Sequence, residues 1–175
     1  YIHGTMAYLQ DESAGMRVVF PEGTELKDNV RYVVKGIKSV VDGASTLTVS
    51  EIEKSYAVEP IKPILVDMVK SLGEYVGRLI QLDGKRIAGY DAAGDPSFRD
   101  DYDTIPSYKL PIDQATFTIR RKSDVVAVVE QANGLRLRGY VKNVKPSAPA
   151  GKDPHEYENI QIGGATYELS NDWLF

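Results

Sequence analysis

The chain has 175 residues, 42% hydrophobic and 26% charged, which is the composition of one large or two small folded domains rather than of a disordered or fibrous chain. A formal net charge of −4 provides no global cationic field for nucleic acid, and the lack of cysteine excludes disulfides, thiolate chemistry and zinc fingers. The longest apolar run, Val125 to Val129, is far shorter than the roughly 20 residues a membrane-spanning helix needs.

Strand patterns dominate. Residues 7–11 alternate apolar and polar and lead into Glu12-Ser13-Ala14-Gly15, a hairpin-type connection. Met16, Val18 and Phe20 then resume the two-residue period until Pro21 and Gly23 end it. A long strand follows from Val30 to Val41, with a kink expected at Gly36. Asp42-Gly43 reads as a turn, and Thr46–Val49 begins another strand. After Pro60 and Pro63, the apolar residues Ile64, Leu65, Met68, Val69 and Leu72 recur at helical spacing before Gly73, predicting one short amphipathic helix over 63–72. Tyr75–Ile87 reads as a strand pair or one bent strand, with Asp83-Gly84 as a turn. Residues 90–111 are polar, with several prolines and aspartates, and are expected to form a long acidic loop. Strands are predicted again at Thr116–Arg121, Val125–Val129 and Leu135–Val144. A Pro/Gly/Lys loop spans 146–154, and a last strand pair spans Ile160 to Leu169.

The two halves match in order and periodicity, about 105 residues apart. Ala7-x-Leu9 and Met16-x-Val18-x-Phe20 parallel Phe117-x-Ile119 and Val125-x-Ala127-x-Val129. Val30-Arg31-Tyr32 parallels Leu135-Arg136-Leu137, Ile37–Val40 parallels Val141–Val144, and Leu47–Val49 parallels Ile160–Ile162. Each unit needs a strand before its hairpin. Tyr75–Ile87 supplies it in the second copy, whereas only residues 1–6 are available in the first. The expectation is therefore an all-β chain with one short helix, arranged as two small five-stranded Greek-key OB-like barrels in tandem. Barrel 1 covers residues 1–59, with its first strand cut short. Barrel 2 covers 60–175, with the preceding helix and the acidic loop 90–111.

The segment Tyr8-Leu9-Gln10-Asp11-Glu12-Ser13-Ala14-Gly15-Met16-Arg17-Val18 resembles the strand–turn–strand signature of OB-fold domains, with Gln10 where nucleic-acid-binding members often carry Arg. Together with residues 30–50 and Glu74-Tyr75-Val76-Gly77-Arg78-Leu79-Ile80-Gln81-Leu82, it is similar to the tandem OB-like modules of cell-surface lipoproteins in Bacteroides-type bacteria. That resemblance implies an extracytoplasmic binding or scaffold module and carries over no catalytic residue. The opening at Tyr1, without an initiator Met or a visible secretory signal, adds the expectation that an upstream signal or anchor piece was removed.

Catalytic signatures do not appear. There is no phosphate-cradling Gly-Lys-Ser/Thr loop, no HExxH and no nucleophile elbow. His3 stands near the start, and His155 in Asp153-Pro154-His155-Glu156 reads as a solvated loop residue. Glu51 and Glu53 share a strand face, the minimum for acid–base hydrolysis, but nothing marks a pocket around them. The chain is accordingly expected to be no enzyme and to need no cofactor.

Candidate binding residues follow from strand alternation. With Ala7, Leu9, Met16, Val18 and Phe20 facing inward, Tyr8, Gln10, Arg17 and Val19 face outward, on the sheet face where OB-folds take oligonucleotides or oligosaccharides. Tyr8, Gln10, Arg17, Tyr32 and Arg120 are the candidate ligand contacts. Val126 and Val128, at the matching positions of the second copy, are expected to pack against the helix or the other barrel. Asp91, Asp95, Asp100, Asp101 and Asp103 gather hard oxygen ligands of the kind calcium takes, but their spacing is not that of an EF-hand and a solvated acidic loop is the favoured reading, with no metal expected. Trp173 is expected to close a core. The reading is a non-catalytic module that binds a glycan or a protein. The alternative is a single-strand nucleic-acid binder, drawing on Lys35, Lys38 and the Arg120-Arg121-Lys122 run against an unfavourable net charge.

Overall fold

The computed structural model describes residues 2–110, 112, 114, 115 and 117–139, and the backbone of strand segments 145–146, 158–162 and 165–169. The strands are β1 (Ile2–His3), β2 (Met6–Gln10), β3 (Gly15–Val19), β4 (Val30–Val41), β5 (Ala44–Ala57), β6 (Ile64–Leu65), β7 (Leu79–Tyr90), β8 (Pro96–Arg99), β9 (Thr104–Tyr108), β10 (Lys122–Gln131), β11 (Leu135–Gly139), β12 (Lys145–Pro146), β13 (Glu158–Ile162) and β14 (Ala165–Leu169). The chain is mostly β, with a closed five-stranded barrel and a second five-stranded sheet.

The first sheet runs in the order β1-β2-β3-β5-β4. The alternating residues of β2 and β3 pair antiparallel around a turn held by Asp11, whose carboxylate accepts the Ser13 and Ala14 N–H groups at 2.8 and 2.9 Å and the Ser13 hydroxyl at 2.7 Å. These bonds, the Ser13 hydroxyl's first, lower the Asp11 pKa to about 2. β4 and β5 form a long hairpin turned by Asp42 (φ 52°) and Gly43 (φ 76°), the two successive positive φ values of a primed two-residue turn. The register between them slips at Val33/Val34 and again at Lys35/Gly36, which is the break expected at Gly36. A Cβ on Gly36 would overlap the Thr48 carbonyl, so only glycine permits the approach of the two backbones there. Ala7, Val18, Phe20 and Val49 make this sheet's core, and the Phe20 and Tyr32 rings meet edge to face at 5.5 Å.

In the barrel, β7, β8, β9, β11 and β10 pair in succession and β10 returns to β7. β7 is one bent strand: the β7–β10 register slips between Ser123 and Val125, beside Gly84 at φ 62°, whose N–H is taken by the Asp124 carboxylate at 2.9 Å. Leu72, Ile80, Leu82, Ile87, Phe98, Ile105, Val125, Val129 and Leu137 fill the interior. β6 runs parallel to β7, β12 pairs with β10, and β13–β14 form a separate hairpin where the last strand pair was expected.

Three expectations change. Residues 90–111 are not a long loop, because they hold the short strands β8 and β9 with Phe98 and Ile105 buried in the barrel. The aspartates punctuate their turns: Asp91 accepts the Ala93 and Asp95 N–H groups, and Asp100 those of Tyr102 and Asp103, all at 2.9 Å. The helix predicted at 63–72 is instead β6 followed by a 3-10 helix at Val69–Tyr75, whose first N–H bonds Asp100 at 2.7 Å. The expected strand Thr116–Arg121 is a turn region in its described residues 117–121, with Arg120 at φ 72°. Val141–Val144, the loop 146–154, His155 and Trp173 lie outside the described residues, β12 excepted.

A correspondence between halves does exist in the pairings, though not in the alignment read from the sequence. β2–β3 antiparallel, β3–β5 parallel and β5–β4 antiparallel recur as β8–β9 antiparallel, β9–β11 parallel and β11–β10 antiparallel. β3 therefore corresponds to β9, not to Val125–Val129. The halves differ in closure. β7 pairs with both β8 and β10, whereas β1 pairs with β2 alone among the described residues.

The first sheet also meets the turn before β7 closely, where Gly15 approaches Gly77: a Cβ on either would overlap the other's backbone. Gly15→Ala should lower stability by about 3 kcal/mol, since neither backbone can move without shifting its sheet. Gly4→Ala, at φ 60° with open space around it, should cost only about 1 kcal/mol. Urea unfolding midpoints of the two variants check this ranking.

Candidate functional site

The side chains proposed as an outward ligand face occupy the contact between the two sheets. Alternation separates Ala7 and Val18, in the first sheet's core, from Tyr8 and Arg17 on the other side, as the sequence pattern requires. That other side, however, is covered by the barrel, and both Tyr8 and Arg17 are buried. The Tyr8 hydroxyl donates to Glu130 Oε1 at 2.7 Å. Arg17 donates through Nε to Thr46 Oγ1 at 2.8 Å and through its terminal nitrogen to the Val41 carbonyl, both within its own sheet. Gln10 Oε1 accepts the Leu79 N–H at 2.6 Å, and Arg78 donates to the Glu12 carbonyl at 3.1 Å, adding two bonds across the contact.

Glu130 is the centre of this seam, with 0% of its surface exposed. On β10 the residues Val125, Ala127 and Val129 point into the barrel, so Val128 and Glu130 point out of it. Val128 is buried outside the barrel cluster, whereas Val126, of which the same burial was expected, is only half-buried. Glu130 also receives Arg136 Nε at 2.5 Å and Arg138 Nη1 at 3.1 Å, from the next strand. The Arg136 and Arg138 guanidinium groups lie over the Tyr108 ring at 4.2 and 5.0 Å, which orients them toward the carboxylate. Burial pushes the Glu130 pKa up, but the hydrogen bonds from Tyr8 and Arg136 and the charges of Arg138 and Arg136 outweigh it, so the net direction is downward. Burial and the same Glu130 bond raise the Tyr8 pKa. With both oxygens engaged, Glu130 is suited to holding structure rather than to exchanging protons.

Sequence reading passed over Glu130, Arg136, Arg138 and Tyr108. The available signal was an acid closing an apolar run, Val125-Val126-Ala127-Val128-Val129-Glu130, followed by two arginines two residues apart on the neighbouring strand.

The remaining candidates disperse. Arg120 is exposed in its turn, far in the chain from the seam residues of the first sheet. Asp95 is buried, its two carboxylate oxygens accepting Leu110 N–H at 2.7 Å and Lys109 N–H at 2.9 Å. Asp91 and Asp100 serve their turns, and Asp101 and Asp103 are exposed. Among the described residues these aspartates form no cluster able to hold a metal ion.

Tyr32 alone lines an open cleft, of about 370 Å³, at the end of the β4–β5 hairpin. The cleft is shared by Thr24, Glu25, Lys27, Val30, Ile52, Ser55, Tyr56 and Ala57. Tyr32 Oη accepts the Lys27 N–H at 2.9 Å, which pins the segment after Gly23 across the strands and makes one wall. Tyr56 is about half exposed, and its hydroxyl lies 3.5 Å from Arg31 Nη1. Sequence reading missed Tyr56 because it stands near the end of an otherwise polar strand stretch, with no alternation to mark it.

No family model matches this chain, and no curated protein matches it.

Because the folded Glu130 pKa lies below its ordinary value of 4.5, the stability it provides is complete above that value and is lost as pH falls through the folded value. Glu130→Gln should cost about 3–5 kcal/mol at neutral pH, leaving a buried guanidinium without its anion, and should lower the melting temperature by about 10 °C. It should also flatten the loss of stability below about pH 4.5. Calorimetric melts of both proteins from pH 7 to pH 3 check both effects.

Proposed function

We propose that this chain is a non-catalytic binding and scaffold module of a cell-surface protein, built as two OB-like units in tandem, with the cleft beside Tyr32 and Tyr56 as a glycan site. The shared order of strand pairings, including the parallel pair in each unit, supports the tandem reading, and the barrel's five strands are the number an OB-fold uses. Surface location rests on the resemblance to Bacteroides-type lipoprotein modules.

The observation that carries the scaffold reading is the use of the first unit's sheet face. The surface that would otherwise bind a ligand is spent on Tyr8–Glu130 and the Gly15–Gly77 approach, which join the two units in one packed seam. A rigid spacer with a fixed angle between units is the natural product of such a seam. Ligand contact then falls to the cleft. Two phenol rings offer apolar faces for a sugar ring, while Ser55, Thr24, Glu25 and Lys27 offer donors and acceptors for its hydroxyls. The cleft is at the small end of ligand sites, which suits one or two sugar rings.

Tyr56→Ala should reduce glycan affinity about tenfold, a stacking contribution near 1.4 kcal/mol, and leave the melting temperature within about 2 °C. Glycan-array screening followed by calorimetric titration of the retained sugar measures it. Unchanged affinity in Tyr56→Ala, or no sugar retained at millimolar concentration, would remove the cleft from consideration. Fluorescent single-stranded DNA that bound with a steep salt dependence would instead favour a nucleic-acid role.

A further inference from the structure

The outer edge of β4 is open: β5 pairs one side of it, and among the described residues no strand pairs the other. In the barrel the corresponding edge, that of β10, is covered by β7 in antiparallel register. An exposed strand of 12 residues with a free ladder edge invites pairing with another chain.

The sequence of this edge identifies its partner. Residues 33–41 read Val-Val-Lys-Gly-Ile-Lys-Ser-Val-Val, with the valine pairs at 33–34 and 40–41 placed symmetrically about Ile37. Val33, Ile37, Val40 and Val41 are all exposed, Ile37 and Val40 at 74% each. Two-fold antiparallel pairing of β4 with itself, centred on Ile37, places opposing residues at positions that sum to 74. Ile37 then faces the partner's Ile37, Val33 the partner's Val41, and Val34 the partner's Val40. Lys35 faces the partner's Ser39, and Gly36 the partner's Lys38, so no cation stands opposite another. Lys35 is already held on its own hairpin by Glu53 at 2.5 Å and Glu51 at 3.8 Å, which lowers its power to repel an incoming strand. The register slips of the hairpin place their extra residues, Ser50 and Glu53, in β5, so β4 keeps an uninterrupted outer ladder.

We propose that β4 is a homodimerisation edge, joining two copies of this chain into one continuous sheet across a dyad at Ile37. The inference is independent of the cleft and of what the cleft binds.

The chain has no cysteine, so a single introduced thiol reports on the dyad directly. Opposing Cα atoms in an antiparallel pair lie about 4.5–5.5 Å apart, within disulfide reach, whereas two residues at position 40 would be offset by six residues, about 20 Å. Ile37→Cys should therefore form an inter-chain disulfide under mild oxidation at least about tenfold faster than Val40→Cys. The unmodified chain should sediment as a dimer at tens of micromolar. Ile37→Lys, which sets two cations against each other at the dyad, should sediment as a folded monomer whose melting temperature, unlike that of the unmodified chain, does not rise with protein concentration. A monomer at 100 micromolar, a dimer that persists in Ile37→Lys, or equal cross-linking of the two cysteine variants would overturn the proposal.

Discussion

A carboxylate buried between two β-sheets has to be answered by donors from both sides, and the contact around Glu130 is arranged to meet that demand. Tyr8 reaches it from the first sheet, while Arg136 and Arg138 reach it from the barrel. Removing an anion from water costs several kcal/mol, and only a full set of hydrogen bonds offsets that cost. The two sheets are consequently placed by chemistry that tolerates little sliding, because a shift of even 1 Å would break short bonds in a medium of low dielectric. The Gly15–Gly77 approach adds a steric condition to the electrostatic one. Flanking bonds from Gln10 to Leu79 and from Arg78 to Glu12 extend the seam along the edge of β2 and the entry to β7.

This seam decides what the rest of the surface is available to do. The face of the first sheet that carries Tyr8 and Arg17 is covered by the barrel. An open cleft remains at the end of the β4–β5 hairpin, where Tyr32 is anchored by Phe20 on one side and by the Lys27 backbone on the other. Among the described residues the same hairpin has an unpaired edge, that of β4. The first sheet thus has three distinct borders: one sealed to the barrel, one open as a cleft, and one exposed as a strand edge.

Much of the fold was legible in the amino-acid pattern. The long β4 strand, its break at Gly36, the Asp42-Gly43 turn and the bent β7 strand all follow from β-branched runs punctuated by glycine and aspartate. The short strands β8 and β9 were not, since four or five residues between turn-forming aspartates carry too little periodicity to stand out. The apolar spacing of Ile64, Leu65, Met68, Val69 and Leu72 suggested a helix because 3.6-residue periodicity cannot distinguish an α-helix from a brief strand followed by a 3-10 turn. The candidate site was half legible. Alternation correctly put Tyr8 and Arg17 on the face opposite Ala7 and Val18, but a period of two says only which residues share a face. Whether that face meets water depends on a contact more than a hundred residues away, Tyr8 with Glu130, which no local pattern encodes.

The central claim is that Tyr8 and Glu130 interact across the two sheets strongly enough to hold them as one unit. A double-mutant cycle with Tyr8→Phe, Glu130→Gln and the double variant, read by chemical denaturation at neutral pH, isolates that interaction from the separate cost of each change. The account predicts a coupling energy of at least about 1 kcal/mol, with the double variant less destabilised than the sum of the singles. Additive effects within about 0.3 kcal/mol would contradict it.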